Sequence, residues 1–335
     1  MRAVRIKNGK GDADALYISE NEPDPAAGPG QVLVHIKAFG LNRMDIMQRE
    51  DKYPYPLLPE SGDIMGVEFS GIVKQIGDEC RGDFKVDDEV FGLAYGSAYA
   101  EQIAVSENML MHKPPSLDFE TAAGVPETYF TAIQAVHLVG DLQPGQDILV
   151  HAGASGVGQA VIQVAKHGGA RLVFTTAGSD AKTDLCRSLG ADFACNYRRD
   201  DQDFAEVVDR ETKGRGVDLI IDLVGHDYWD RNIASLAMDS KVVLVALMSG
   251  GVIPEFNLRK LMNKRIWVMA TTLRTRSKEY QRQLRDRFVE VALPGLADGS
   301  LRITVDKVYS WKQVGEAHKR MEANTNAGKI ICVVD

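Results

Sequence analysis

The residues Ala152-Gly153-Ala154-Ser155-Gly156-Val157-Gly158 stand between an apolar run, Ile148-Leu149-Val150, and a helix-forming stretch that begins Gln159-Ala160-Val161. Small side chains in that order permit a tight chain reversal, close approach of a pyrophosphate to the backbone, and close packing of the helix on the strand. Ser155 takes the place of the usual second glycine, so the spacing is a degenerate dinucleotide fingerprint. Its strand, turn and helix setting supplies the specificity that glycines alone lack. Ala154, Ser155, Gly156 and Val157 are therefore candidate cofactor ligands. The stretch also begins like a G-x-S-x-G nucleophile elbow, with Asp222, His226 and His318 downstream as acid and base. Val157 at the fifth position and a β-rich first domain weigh against a hydrolase.

A dinucleotide with a free ribose 2′-hydroxyl calls for a carboxylate at the end of the second strand, about 20 residues beyond the glycines. Here that strand ends Thr175-Thr176-Ala177-Gly178-Ser179, with Ala177 where the carboxylate would stand. Lys182 follows one helical turn later, and Tyr197 closes the third strand. An ammonium, a phenol and the Ser179 hydroxyl converging beside Gly178 suit a 2′-phosphate, so NADPH is the expected cofactor, with Asp180 the residue that argues otherwise. The plainer alternatives are a solvated helix lysine for Lys182 and a rim aromatic for Tyr197. Met248 and Ser249 follow the fifth strand, at the carboxyl edge where ligands gather in α/β sheets.

The elements that must position these residues alternate. Strands are expected at 147–151, 171–176, 193–195, 217–222, 241–247 and 266–271, separated by helices near 157–167, 181–189, 204–212, 228–237 and 258–263. Parallel neighbours need long crossovers, so this pattern implies an α/β doubly wound, six-stranded parallel sheet. From Val4 to about Glu107 the rhythm is different: Gln31 to Lys37, Val67 to Ile76 and Tyr99 to Val105 read as short strands punctuated by Gly, Pro and Asp, an all-β lobe. Helices at 278–293 and 312–323 and a strand at 329–334 follow the sheet. Domains are expected at 1–124 with 274–335, and at 125–273.

The 335 residues allow roughly two domains, and 44% hydrophobic with 26% charged residues is ordinary for a globular chain. A formal charge of -8 disfavours nucleic acid and anionic membrane as partners. The longest strongly apolar run, Val242 to Met248, is far short of the ~18 residues of a membrane span, and the N-terminal stretch lacks a secretory pattern, so a cytoplasmic location is expected. Cys80, Cys186, Cys195 and Cys332 are too scattered for a zinc knuckle, and the seven histidines, His35, His112, His137, His151, His167, His226 and His318, show no metal spacing.

The β-rich lobe before a dinucleotide domain, the 152–158 turn, Gly178-Ser179-Asp180-Ala181-Lys182 and Tyr197 together resemble the zinc-free quinone oxidoreductase branch of the medium-chain dehydrogenase/reductase superfamily. Gly40-Leu41-Asn42-Arg43-Met44-Asp45, Gly66-Val67-Glu68-Phe69-Ser70-Gly71, Ala122-Ala123-Gly124-Val125-Pro126-Glu127 and Met321-Glu322-Ala323-Asn324 extend the resemblance over nearly the whole chain. A mammalian member of that branch likewise carries serine in the turn. The resemblance implies a GroES-like β-rich catalytic domain beside a Rossmann domain. It places Asn42, Asp45 and Tyr53 along the substrate cleft, Thr131 near the nicotinamide carboxamide, and Asn42 and Asn324 among the cofactor contacts. The bland readings are a turn cap for Asn42, a helix-start charge for Asp45 and loop packing for Tyr53. Zinc-dependent relatives hold their catalytic metal with a Cys and a His where this chain has Asn42 and Val67, so no metal is expected. Without that Lewis acid the acceptor should already be electrophilic: a quinone or an enone. An enoyl or alkenal double-bond reductase is the enzymatic alternative. A non-catalytic NADPH-binding structural or RNA-associated protein is the alternative of another class. The resemblance also implies a homodimer joined along the sixth strand, Ile266 to Thr271, whose two apolar faces would otherwise leave a hazardous edge.

Overall fold

The run Gln31–Gly40 buries Val32, Val34, Ile36, Ala38 and Phe39 completely, and Leu33 nearly so, as a strand at the centre of a covered sheet must. The computed structural model describes residues 1–53 and 63–335. They form two units, Met1–Thr128 with Arg274–Asp335, and Tyr129–Leu273.

In the first unit a hairpin-like pair, β1 (Ala3–Ile6) and β2 (Leu16–Ser19), stands apart from a larger sheet. That sheet takes β3 (Gln31–Gly40), β4 (Glu68–Ile76), β5 (Glu89–Leu93), β6 (Gln102–Ser106) and β7 (Leu110–His112) from the first part of the chain. The lobe is not all β. Asn42 starts a helix, Arg43–Arg49, because its backbone N–H donates to the Asp45 carboxylate at 2.8 Å, and a second helix, Phe119–Ala123, is capped by Asp118. The expected strand at Tyr99 begins later, at Gln102; Tyr99 instead turns its ring inward against Phe39.

The second unit is built on β8 (Ile148–Val150), β9 (Val173–Ala177), β10 (Phe193–Asn196), β11 (Val217–Asp222), β12 (Leu236–Leu244) and β13 (Trp267–Ala270). All are parallel, in the order β10-β9-β8-β11-β12-β13. The chain leaves β8 toward one side of the sheet for two strands and then returns to β8's other flank, so β8 and β11 bracket the switch point where such sheets bind ligands. β12 begins earlier and ends earlier than the 241–247 expected, since the helix before it stops at Ser235. Beyond Leu244 the backbone turns away, with Val245 N donating to Asp222 O.

The chain then re-enters the first unit. Helices Lys278–Val291 and Val314–Glu322 precede β14 and β15 or lie between them, with β14 at Val305–Ser310 and β15 at Lys329–Val333. β15 pairs antiparallel with β3, setting Ile331 opposite Gly40. This pairing carries Lys329 to the start of the helix Arg43–Arg49. No described helix is long and apolar enough to cross a membrane.

Candidate functional site

Two glycines of the turn after β8 have no room for a side chain. A methyl group on Gly153 would lie 2.0 Å from Thr175 Oγ1, and one on Gly158 would lie 2.3 Å from Ala152 O. Ser155 caps the helix Gly156–His167 by accepting from Gly158 N at 3.0 Å. Ala154 is buried, while Ser155, Gly156 and Val157 are half-exposed at the helix N-terminus. A backbone that hugs its neighbours at the amino end of a twelve-residue helix is suited to an anionic pyrophosphate. The hydrolase alternative fails here: among the described residues no imidazole hydrogen-bonds Ser155 Oγ, and His318 is buried in the other unit.

At the end of β9, Ser179 caps the helix Asp180–Ser188, its Oγ accepting from Lys182 N at 3.3 Å. Tyr197 lies over Gly178, so close that a methyl group there would stand 2.6 Å from the phenol oxygen. Asp180 is turned toward Asn196, whose Nδ2 donates at 2.8 Å, and toward Arg199 at 3.6 Å. Its negative charge is thereby offset. Arg198 and Arg199, exposed beside Tyr197, add positive charge that the sequence reading did not single out. Met248 and Ser249 sit on the loop after β12, which folds onto the loop after β11: Ser249 N donates to Val224 O at 2.8 Å and Ser249 Oγ accepts from Asp227 N at 3.0 Å. Thr131 is buried in the helix Pro126–Ile133.

Beneath this surface a buried chain of side chains went unnoticed in the sequence. Asp222 accepts from Val224 N, Gly225 N and Asn232 Nδ2. Asn232 Oδ1 therefore faces His151 Nε2, at 2.6 Å, and His151 Nδ1 faces Thr176 Oγ1, at 3.1 Å. With the Asn232 amide committed to the Asp222 carboxylate, His151 must donate from Nε2 and accept at Nδ1. Burial lowers its pKa to about 4, in keeping with a neutral ring. His151, in sequence one of seven histidines without metal spacing, here links the end of β8 to Thr176 of β9 and, through Asn232, to Asp222 at the end of β11.

In the first unit, Asn42 is held on both sides of its carboxamide. Its Nδ2 donates to Glu68 Oε1 at 2.9 Å, and its Oδ1 accepts from Lys329 Nζ at 2.8 Å. The ammonium also lies 2.5 Å from Glu68 Oε1 and donates to Leu41 O at 2.7 Å. The other Glu68 oxygen accepts from Glu127 N at 2.9 Å. Burial, reinforced by the charge of Glu68, pushes the Glu127 carboxyl up to about 7.

Asp45, which the resemblance sets along the substrate cleft, lies deep at the start of the helix Arg43–Arg49. It is wholly buried, with Oδ2 accepting from Asn42 N and from Tyr99 OH at 3.0 Å, and Oδ1 unbonded. Burial raises its pKa to about 6. Tyr99 leads on to His318 Nε2 at 3.3 Å, whose Nδ1 meets Arg49 Nη1 at 3.2 Å. Asn324 is exposed and accepts from Arg43, next to Asn42. Tyr53 is half-buried, with the Arg274 guanidinium 4.9 Å over its ring. Of the residues expected to act, the structure thus gathers Asn42 and Asp45 about one helix start, sets Asn324 against the adjacent Arg43, and places Tyr53 against Arg274. Among the described residues no group of three or more His, Cys, Asp and Glu could hold a metal ion.

Two units of this kind, one carrying a dinucleotide turn at a sheet switch point, define an NAD(P)-binding oxidoreductase fold. Residues 28–115 match the alcohol dehydrogenase GroES-like domain, and residues 156–290 match the zinc-binding dehydrogenase family. The chain is 30% identical to quinone oxidoreductase-like protein 2 of Bos taurus, over 94% of this chain and 88% of that one. Among solved structures, a Pseudomonas syringae quinone oxidoreductase is similar at TM-score 0.84 and 30% identity, covering 99% of each chain. A structure described as an NAD-dependent alcohol dehydrogenase gives 0.85 at 30% identity over the whole of both chains. A mycobacterial protein complexed with NADPH gives 0.87 at 26% identity over 99% of this chain and 100% of that one. The chain belongs to the medium-chain dehydrogenase/reductase superfamily, among quinone oxidoreductase-like members.

Proposed function

We propose that the protein is an NADPH-dependent reductase of quinones or similarly conjugated carbonyl acceptors, working without zinc. The 125–273 segment is the cofactor domain in this reading, and segments 1–124 and 274–335 form the substrate domain. Bound there, the cofactor would supply hydride chemistry; the chain's part is to hold, orient and keep water away. The 152–158 turn would take the pyrophosphate, with Thr131, Met248, Ser249, Asn42 and Asn324 as further contacts. Lys182, Tyr197, Gly178 and Ser179 would take the 2′-phosphate, for which the absence of a free carboxylate at Ala177 and the offset charge of Asp180 are the support. That neighbours of this fold include both an NAD-dependent protein and an NADPH complex makes this local charge pattern the deciding feature.

The observation that carries the acceptor class is the ammonium of Lys329. It lies between Glu68 and Asn42, beside the position where zinc-dependent relatives have a metal ligand, and its charge opposes a divalent cation there. The donor set does not fit zinc: Asn42 is a carboxamide engaged on both sides and Val67 is a buried hydrocarbon. No Lewis acid then polarises an alcohol or a simple ketone, so the acceptor must bring its own electrophilicity. Enoyl and alkenal double bonds share that property and form the second reading, favoured by a similar solved structure described as an enoyl-reductase cyclopropanase at 26% identity. A panel of quinones, enones and enoyl thioesters with NADPH separates them. Turnover of quinones above the others is expected; turnover of simple alcohols or aldehydes alone would overturn the reading.

We further infer a cytoplasmic homodimer. Among the described residues β13 pairs with β12 alone, and it exposes Trp267 (62%) and Val268 (42%), while Met262 on the preceding helix is 76% exposed. An unpaired apolar edge of this kind is a pairing surface, and a second copy meeting it across a two-fold axis removes it.

A further inference from the structure

Arg274 is a buried cation, only 4% exposed, and among the described residues no ion pair includes it. A guanidinium does not lose its proton in a protein, so the charge stays. Of its nitrogens, Nη2 donates to Tyr95 O at 3.0 Å, while Nε and Nη1 are shut away from solvent with no acceptor. The Tyr53 ring lies against the guanidinium, 4.9 Å away, and satisfies none of the in-plane N–H groups. The Tyr95 hydroxyl is also buried without a partner, and its pKa is raised by burial first and by the charge of Glu127 next. A buried donor left without an acceptor is costly, and more so when it carries charge. Tyr53, Tyr95 and Glu127, all in the first unit, thus lie about the Arg274 guanidinium, and among the described residues no acceptor meets its Nε or Nη1. Glu127 feels Arg274 electrostatically but does not bond it, and its carboxyl, raised to about 7, is partly neutral near neutrality.

We infer that Arg274 and Tyr95 form the receptor for an anionic oxygen on the acceptor, reached when the Tyr53 ring swings aside. This deepens the proposed function and rests on it. A conjugated acceptor that gains a hydrogen and two electrons at its carbon end, the reduced nicotinamide losing the same, places the displaced π pair on its carbonyl oxygen. A proton from water then completes the reduction. Until it arrives the oxygen is negative, and the unfilled N–H groups of Arg274 become charged hydrogen bonds. Where a metal would stabilise such an oxygen in zinc-dependent relatives, a fixed guanidinium does so here.

The test uses 4-nitrophenol, an unreactive aromatic whose ionised form is yellow and which carries the same phenolate oxygen. Wild-type protein without cofactor should bind the phenolate roughly 10- to 150-fold more tightly than the neutral phenol, seen as a lowered apparent pKa of the bound probe. Arg274→Met should abolish that preference, and Arg274→Lys should restore part of it. Equal affinity of the wild-type protein for the two forms overturns the inference without recourse to any variant. So does displacement of the phenolate by inorganic pyrophosphate, which would assign the site to a phosphate. If the phenolate is preferred but no quinone is turned over by the wild-type protein with NADPH, the anion site stands and the quinone reading falls. If quinones are turned over and Arg274→Met leaves both kcat and the probe unchanged, the quinone reading stands and the anion site falls.

Discussion

At the scale of single residues, Asp45 shows how a carboxylate can be placed against its own charge. Its folded pKa of about 6 exceeds the ordinary 3.8 because burial penalises the ion more than Asn42 N–H and Tyr99 OH stabilise it. A carboxyl raised in this way costs nothing below about pH 4, where it is protonated folded or unfolded, and its full cost is present above about pH 6. Asp45→Asn keeps an acceptor for both donors and removes the charge. Relative to wild type, its unfolding free energy should gain on the order of 3 kcal/mol between about pH 4 and pH 7 in urea titrations. A pH-independent difference would mean that Asp45 is ionised at no cost. Lys182 is the other residue with a sharp consequence. Lys182→Ala should weaken NADPH by roughly 10- to 150-fold at low salt and leave NADH nearly unchanged, by nicotinamide fluorescence. Equal effects on the two cofactors would make it an ordinary surface lysine. Asn42, Asp45 and Lys182 could be named from sequence because motif and neighbours sit together in the chain. Lys329 and Arg274 could not, since nothing local distinguishes a lysine that opens the last strand, or an arginine after the sixth, from a solvated one.

At the scale of elements, what was legible follows from what is local. The alternation of apolar runs and helical stretches gave the six parallel strands, because each strand and crossover carries its own hydrophobic period. The helix Arg43–Arg49 was missed in a lobe read as β, although Asn42 and Asp45 at its start are a capping signature. The pairing of β15 with β3 was invisible, as residues almost 300 positions apart leave no periodic trace. The sixth strand also makes a prediction at this scale. Trp267→Lys with Val268→Glu should convert a dimer to a monomer by light scattering at micromolar concentration, with the far-ultraviolet circular dichroism retained. A wild-type protein already monomeric there would contradict the dimer.

At the scale of the whole molecule, one unit presents a glycine turn at the start of a helix, and the other a carboxamide held between Glu68 and Lys329 and a buried guanidinium. Activity should survive prolonged treatment with a chelator, and elemental analysis of active protein should find zinc well below one per chain; loss of activity together with a stoichiometric metal would overturn the zinc-free reading. In the proposed function, reduced NADP and not a metal drives reduction of a conjugated acceptor. Its most direct test is the initial rate of nicotinamide oxidation by chelator-treated protein with a simple quinone, NADPH and NADH compared side by side. Turnover is expected with kcat/KM at least roughly tenfold higher for NADPH than for NADH. No turnover with either cofactor, or a preference for NADH, would contradict it.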